Sequence, residues 1–216
     1  MRELPPSPAT VLFGAGTEAA AARTLRELGA ERVLLVALAH HRAGADRVAA
    51  ALGDAAVGVF TLSGPQVPGA TVDAAVETAR QAGADWVVAH GGGSAIGVAK
   101  AVALHLPVAL GALPTTYAGS ERTDIWGVTR DGEKQTGRDE RVRPRLVVYD
   151  PDLTASLDRD VTLASLANAL AHAIGALCAV EATAGARDAA GRSLAPLVSA
   201  IRALAADPAD TAARAA

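Results

Sequence analysis

The sequence predicts an α/β protein that hands over to an all-α segment, and three observations carry that prediction. Short β-branched runs alternate with alanine-rich amphipathic stretches through roughly the first 155 residues, which sets strand and helix periods in turn. Glycine and proline punctuate the junctions between them. From Thr162 onward the apolar residues recur at helical spacing alone. Half of the 216 residues are hydrophobic but only 3% are aromatic, so the core must be built from Ala, Val and Leu.

Thr10 to Phe13 reads as a strand, followed by a helix from about Thr17 to Leu28 that Gly29 closes. Val33 to Val36 reads as a buried strand, and Val57 to Thr61 and Trp86 to Ala89 are the next candidates. Between those two, Val72 to Ala82 has helical spacing and stops at Gly83. A helix then runs from about Ser94 to Leu104, and Pro107 to Leu110 begins another strand. Strands separated by helices imply parallel pairing, right-handed crossovers and ligands at the carboxyl ends of the strands, as in an open Rossmann-like sheet.

After Pro114 the rhythm changes. Ile125 to Thr129 and Lys134 to Gly137 flank Arg130-Asp131-Gly132-Glu133, which predicts a β-hairpin. Leu146 to Tyr149 reads as a strand stopped by Asp150-Pro151. Leu163, Leu166, Leu170, Ile174 and Leu177 form one helical apolar stripe, and Leu194, Leu197, Val198, Ile201 and Leu204 form another. A boundary is therefore expected near residue 155, with residues 1–155 as the α/β domain and 156–216 as part of a helical one. Two helices cannot enclose a core of their own, so their apolar faces must dock on the first domain, on another chain or on helices beyond this sequence. Asp207 to Ala216 shows no stop signal, as if the fold continued.

A formal net charge of −3 gives no bulk attraction for nucleic acid or anionic lipid, and neither is expected as a partner. The single cysteine, Cys178, excludes an intramolecular disulfide framework and any multi-cysteine metal site, which fits a reducing cytoplasm. Met1 to Thr10 holds three prolines and no apolar run, so no signal peptide is expected there. The longest apolar stretches are strand-length or interrupted by Gly, Pro and charge, which argues against a membrane span. A cytoplasmic protein is expected.

The strongest local signal is Gly91-Gly92-Gly93-Ser94, directly between a strand and a helix. Glycines let the backbone approach a pyrophosphate, and a helix N-terminus offers unpaired N–H groups with positive potential. Ser94 can donate its hydroxyl or cap the helix. A flexible turn is the alternative. Phe13-Gly14-Ala15-Gly16 is a second glycine turn, without the spacing of the dinucleotide fingerprint, and a plain link suffices for it. Pro114-Thr115-Thr116-Tyr117-Ala118-Gly119-Ser120-Glu121-Arg122-Thr123 follows the next strand and reaches the same sheet edge; its hydroxyls suit either a polar ligand or a capped surface loop. Asn168 and His172, four apart, share a helix face, where they can orient a substrate and donate a proton or form a structural polar pair. As a metal site the pair is incomplete, because iron or zinc requires three or four ligands. Of the remaining histidines, His40 and His41 read as exposed loop residues and His105 as a helix-end residue. His90 precedes the glycine loop, either facing a ligand or serving structure.

Together these segments resemble the maleylacetate reductases, a branch of the iron-containing alcohol dehydrogenases with a dehydroquinate-synthase-like fold. The resemblance runs from Phe13-Gly14-Ala15-Gly16 through Gly91-Gly92-Gly93-Ser94-Ala95-Ile96-Gly97-Val98-Ala99-Lys100 and Pro114 to Thr123. It continues over Ile125-Trp126-Gly127, Lys134 to Asp139 and Tyr149-Asp150-Pro151-Asp152-Leu153. Gly97, and the Pro114 to Thr123 block followed by Trp126 and Thr136-Gly137-Arg138-Asp139, are marks of the maleylacetate branch.

The resemblance implies an NAD(P)H-binding domain over residues 1–155, a helical domain after it and an anionic substrate in the cleft between them. It implies that Gly91, Gly92, Gly93 and Ser94 hold the pyrophosphate and that Thr115, Thr116 and Ser120 line the adenosine and nicotinamide-ribose positions. His172, Asn168 and Arg122 are the implied catalytic or substrate-facing residues, Arg122 by charge complementarity to the substrate. Asn168 stands where metal-dependent relatives have an aspartate ligand, so no metal ligands are assigned. The implied reaction moves hydride from NAD(P)H to maleylacetate, giving 3-oxoadipate in aromatic-compound degradation, and a homodimer is expected. Two departures stand out. Gly175 replaces a usual glutamate, and Glu181 to Arg192 matches poorly. The family also continues into several further helices, so a C-terminally truncated member is expected, with possible loss of activity in this chain. The alternatives are a repurposed, non-catalytic domain acting through binding or oligomerisation, and an alcohol dehydrogenase acting on an aldehyde or ketone. Ala37-Leu38-Ala39 after the second strand offers no acidic residue for a ribose hydroxyl, whereas Arg42 can accept a 2′-phosphate.

Overall fold

The computed structural model describes residues 9–64 and 66–215, so the expectation for the N-terminal stretch falls, up to residue 8, outside the described residues. The chain divides into two compact units, Met1–Thr115 with Ser120–Asp150, and Thr116–Gly119 with Pro151–Ala216.

The first unit is a parallel sheet between helices, as the alternation of periods predicts. Its strands are β1 (Thr10–Phe13), β2 (Val33–Leu38), β3 (Ala56–Leu62), β4 (Trp86–Gly91), β5 (Ala109–Pro114) and β8 (Leu146–Tyr149). They pair in the order β1-β8-β5-β4-β2-β3, all in parallel. The central strands β4 and β5 are buried along their whole length, because helices cover both faces of such a sheet and leave no polar side. Crossovers are made by α1 (Ala21–Glu27), α2 (Arg42–Leu52), α3 (Gly69–Gln81) and α4 (Gly93–His105). Gly29 and Gly83, both at positive φ, close α1 and α3. The core is small and aliphatic: Val36, Val87, Ala89, Val98, Ala99, Val102 and Leu110 interdigitate around α4 and the middle strands. That is the composition a chain with so few aromatics must use.

Between β5 and β8 lies the hairpin of β6 (Ile125–Arg130) and β7 (Glu133–Arg138), paired from Ile125↔Arg138 to Arg130↔Glu133. Asp131 and Gly132 both have positive φ (52° and 80°), the conformation of the two-residue turn whose twist matches its flanking strands. Two expectations need correction here. The stretch after β2 is not an exposed loop but a short 3-10 helix, Ala39–His41, leading into α2. His41 is accordingly half-buried, and only His40 is exposed.

The second unit contains α5 (Arg159–Cys178), α6 (Ala184–Ala206) and α7 (Thr211–Ala215). The Thr183 hydroxyl accepts from the Ala186 amide and caps α6. The Arg214 guanidinium, itself buried, ties the segments together by donating to the Thr154 carbonyl at 2.7 Å and to the Pro208 carbonyl at 2.8 Å. Tyr117 joins the same knot through a 3.0 Å bond between its hydroxyl and that of Thr154. Along α5, Leu166 is buried, Leu163, Leu170 and Leu177 are half-buried and Ile174 is exposed. By length and composition α5 is one helix, among the described residues, that could cross a membrane, with Gly175 interrupting its apolar run. Alanine supplies much of its apolar character.

Candidate functional site

The corner where β4 becomes α4 is built from backbone. Gly91 has φ 155°, and a Cβ there would come within 2.9 Å of the Ala95 Cβ, so the chain can turn this tightly only without a side chain. Gly92 is the N-cap of α4 and offers no side-chain cap. The bond from the Ile96 amide to the Gly92 carbonyl, at 3.2 Å, is the first to close the helix, so the N–H groups of Gly93, Ser94 and Ala95 precede the intrahelical ladder. Gly93 is exposed. The Ser94 hydroxyl turns outward from the cap and accepts the Gln66 amide at 3.0 Å. Three uncapped amides, the positive end of a thirteen-residue helix and no Cβ at the approach fit the diphosphate of a dinucleotide.

Thr115 lies beside this corner at the end of β5. Its amide donates to the Gly91 carbonyl at 3.3 Å, and its buried hydroxyl sits 3.1 Å from His41 Nε2. Burial, reinforced by the neighbouring His40 and His90, pushes the His41 imidazole down to about 4, so it is neutral at physiological pH. His90, the residue before the glycines, is buried with Nε2 2.8 Å from Glu18 Oε1. Arg47 grips the same carboxylate at 3.0 and 3.1 Å. Burial pushes the Glu18 carboxyl up, but the hydrogen bonds from His90 and Arg47 outweigh it and hold the group below its usual range. A side chain on Gly44 would run into the His90 ring, so α2 passes close over the end of β4. His90 therefore bonds a carboxylate under the corner. Glu18, His41 and Arg47 were not singled out as partners from the sequence, because nothing in their spacing links positions so far apart.

Ser120 begins a 3-10 turn, Ser120–Arg122. Its carbonyl accepts from the Thr123 amide and hydroxyl, while its own hydroxyl is buried with no partner among the described residues. The turn is anchored from below by Lys100, whose buried ammonium donates to the Thr123 carbonyl (2.7 Å), the Thr123 hydroxyl (3.0 Å) and the Ile125 carbonyl (2.8 Å). Burial lowers the Lys100 pKa to about 8 against the raising influence of Glu121 and Asp124. Glu121 is buried and accepts from the Tyr149 hydroxyl at 2.8 Å; burial and that carboxylate push the phenol up. Arg122 is exposed, and its carbonyl accepts from Arg143.

The remaining predicted residues belong to the other unit. Thr116 is half-buried; Asn168 and His172 are exposed on α5, one turn apart, without hydrogen-bond partners among the described residues. The structure thus gathers Gly91, Gly92, Gly93, Ser94 and Thr115 at one sheet edge, with Ser120 and Arg122 further along the same unit. Among the described residues no group of three or more His, Cys, Asp or Glu side chains is arranged to hold a metal ion.

An open parallel sheet with an uncapped glycine corner at its carboxyl edge defines the doubly wound α/β class, whose ligands bind at that edge. The particular lineage follows from comparison. The profile described as "Iron-containing alcohol dehydrogenase" matches residues 8–151, and the chain belongs to that family. It is similar to the maleylacetate reductase of Sphingobium indicum, with 46% identity over 209 residues, covering 97% of this chain and 59% of that one. Maleylacetate reductase 2 of Cupriavidus pinatubonensis is 48% identical over 174 residues, 81% of this chain and 48% of that one. The crystal structure of maleylacetate reductase from Rhizobium sp. strain MTP-10005 superposes with a TM-score of 0.93 at 39% identity, over 97% of this chain and 60% of that one. A sulfoacetaldehyde reductase from Bifidobacterium kashiwanohense, solved in complex with NAD+, gives 0.90 at 25% identity, over all of this chain and 64% of that one. The chain thus spans about three fifths of the length of the first of these relatives, 59%.

Proposed function

We propose that this chain forms the nucleotide-binding part of an NAD(P)H-dependent reductase of the maleylacetate type. The observation that carries the reading is the uncapped amide cluster of Gly93, Ser94 and Ala95 behind a glycine approach. Kinship to maleylacetate reductases at 38–48% identity supports the substrate assignment. In this reading the amides hold the diphosphate, and Thr115, Thr116 and Ser120 contact the riboses. When bound, the reduced nicotinamide would supply the hydride that converts maleylacetate to 3-oxoadipate, together with one proton. Arg122, exposed and cationic, is suited to a substrate carboxylate. His172 and Asn168 stand on one face of α5, where an imidazole can deliver the proton and a carboxamide can orient the substrate. A homodimer working in the cytoplasm, in aromatic-compound catabolism, completes the proposal.

The test is Gly93→Asp. A carboxylate in the first turn favours α4 by about 0.3–1 kcal/mol while opposing the diphosphate. Calorimetric titration should show a reduced nicotinamide binding the wild type and at least a ~100-fold weaker affinity in the variant, about 2.7 kcal/mol, with an unchanged or higher melting temperature. Flat titrations of the wild type with both NADH and NADPH would remove the reading. Oxidation of NAD(P)H that depends on added maleylacetate tests the substrate separately.

A further inference from the structure

The geometry beyond β2 points to Arg42 as a specificity-determining residue: we infer that it receives a 2′-phosphate on the adenosine ribose and makes NADPH the preferred nucleotide. The inference rests on the dinucleotide reading of the glycine corner. In doubly wound sheets the group just past the second strand of the nucleotide unit meets this ribose. A carboxylate there accepts from a free 2′-hydroxyl, whereas an arginine accommodates the phosphate.

The corner and the end of β2 adjoin. β2 and β4 are paired neighbours, with Ala37 opposite His90. A Cβ placed on Gly91 would lie 3.7 Å from His41 Cδ2, and His41 Nε2 is 3.1 Å from the Thr115 hydroxyl. The next residue, Arg42, opens α2. Its guanidinium is held at the rim rather than left to wander: Nε donates to Asp46 Oδ1 at 2.8 Å and Nη1 to Thr61 Oγ1 at 2.9 Å. Thr61 sits near the end of β3, opposite Ala37 of β2. Nη2 has no partner among the described residues, and the side chain remains 46% exposed, so part of the donor fork faces solvent. Thr61 accepts from Arg42 and keeps its own O–H to donate.

The charge pattern points the same way. No acidic residue occurs from Val33 to Ala45 or from Ala55 to Val72, so neither strand end offers a carboxylate to a ribose diol. Asp46, which follows, is committed to Arg42. Arg47 is committed to Glu18. His41 is neutral, which leaves Arg42 with the charge, and a pre-oriented guanidinium fork is the side chain best matched to a phosphate dianion. Asp46 tempers the preference by neutralising part of that charge.

Calorimetry on the 216-residue chain with NADPH, NADH, 2′,5′-ADP, 3′,5′-ADP and 5′-AMP tests the assignment. NADPH is expected to bind about tenfold or more tightly than NADH, and 2′,5′-ADP should exceed both 5′-AMP and 3′,5′-ADP by a similar factor. Arg42→Ala should bring the NADPH/NADH ratio within twofold of unity and leave NADH affinity unchanged. Asp46→Asn should widen the ratio. Equal or NADH-favouring affinity in the wild type would overturn the inference, as would a ratio that survives Arg42→Ala. Equal affinity for 2′,5′-ADP and 3′,5′-ADP would reveal general anion attraction and overturn it too. NADH binding without an NADPH preference sinks the specificity alone; no binding of either nucleotide sinks the corner as well.

Discussion

The glycine corner after β4 and the Asn168–His172 pair on α5 carry the two halves of the proposed chemistry, and the chain holds them in different ways. Every residue of β4 is buried, and the corner's ligand groups are main-chain amides fixed by a positive-φ turn and a helix start. On α5 the candidate groups are exposed side chains, and the helix's apolar stripe is only partly covered, with Ile174 49% exposed. A diphosphate cradle made of backbone is complete once the strand and helix are in place. A proton donor becomes effective only when its surroundings fix its position and pKa. Diphosphate affinity should therefore be a property of the first unit's packing, and substitutions on α5 should leave it alone.

The sharpest way to break that contrast is Gly91→Val. A branched side chain at φ 155°, aimed at the Ala95 methyl 2.9 Å from where its Cβ would stand, combines backbone strain with overpacking. Denaturant unfolding should show a loss of at least ~3 kcal/mol, and nucleotide binding should disappear with it. A variant as stable as the wild type would show that the corner relaxes easily and that its geometry is not imposed by packing.

Much of this unit was legible beforehand because its signals are local. Continuous Val and Leu runs mark strands buried on both faces, and Asp131-Gly132 marks the hairpin turn. What escaped notice depends on distant partners or on small residues. α2 buries Gly44, Ala45, Val48 and Leu52, and a face that is half glycine and alanine gives little periodic contrast. Gly44 is small because the His90 ring fills its place, a fact that no spacing within α2 reveals. The pairing of Asn168 with His172 followed from a four-residue interval, but their exposure depends on what packs around α5. Lys100 is one of two lysines in the sequence, yet its role depends on Thr123 and Ile125 returning above it.

Lys100→Met is a smaller perturbation with a pH signature. It removes three donated hydrogen bonds, for an expected loss of about 1–3 kcal/mol. The folded pKa, about 8, lies below the ordinary 10.5, so between these values the unfolded chain binds more protons than the folded one. The Lys100 contribution to stability is therefore present above 10.5 and lost as pH falls through 8. Across that window the melting temperature of the wild type should rise relative to Lys100→Met. Parallel curves would mean that the ammonium is better solvated than its burial implies.

The smallest effect is expected on α5. Asn168→Ala and His172→Ala each remove an exposed side chain without a hydrogen-bond partner among the described residues, and alanine suits a helix interior. Stability should stay within ±0.5 kcal/mol of the wild type, and so should the free energy of NAD(P)H binding. If His172 supplies a proton, its loss should appear in maleylacetate-dependent turnover alone. A drop in nucleotide affinity in either variant would mean that α5 helps to hold the cofactor, and the division between a backbone cradle and a side-chain donor would have to be redrawn.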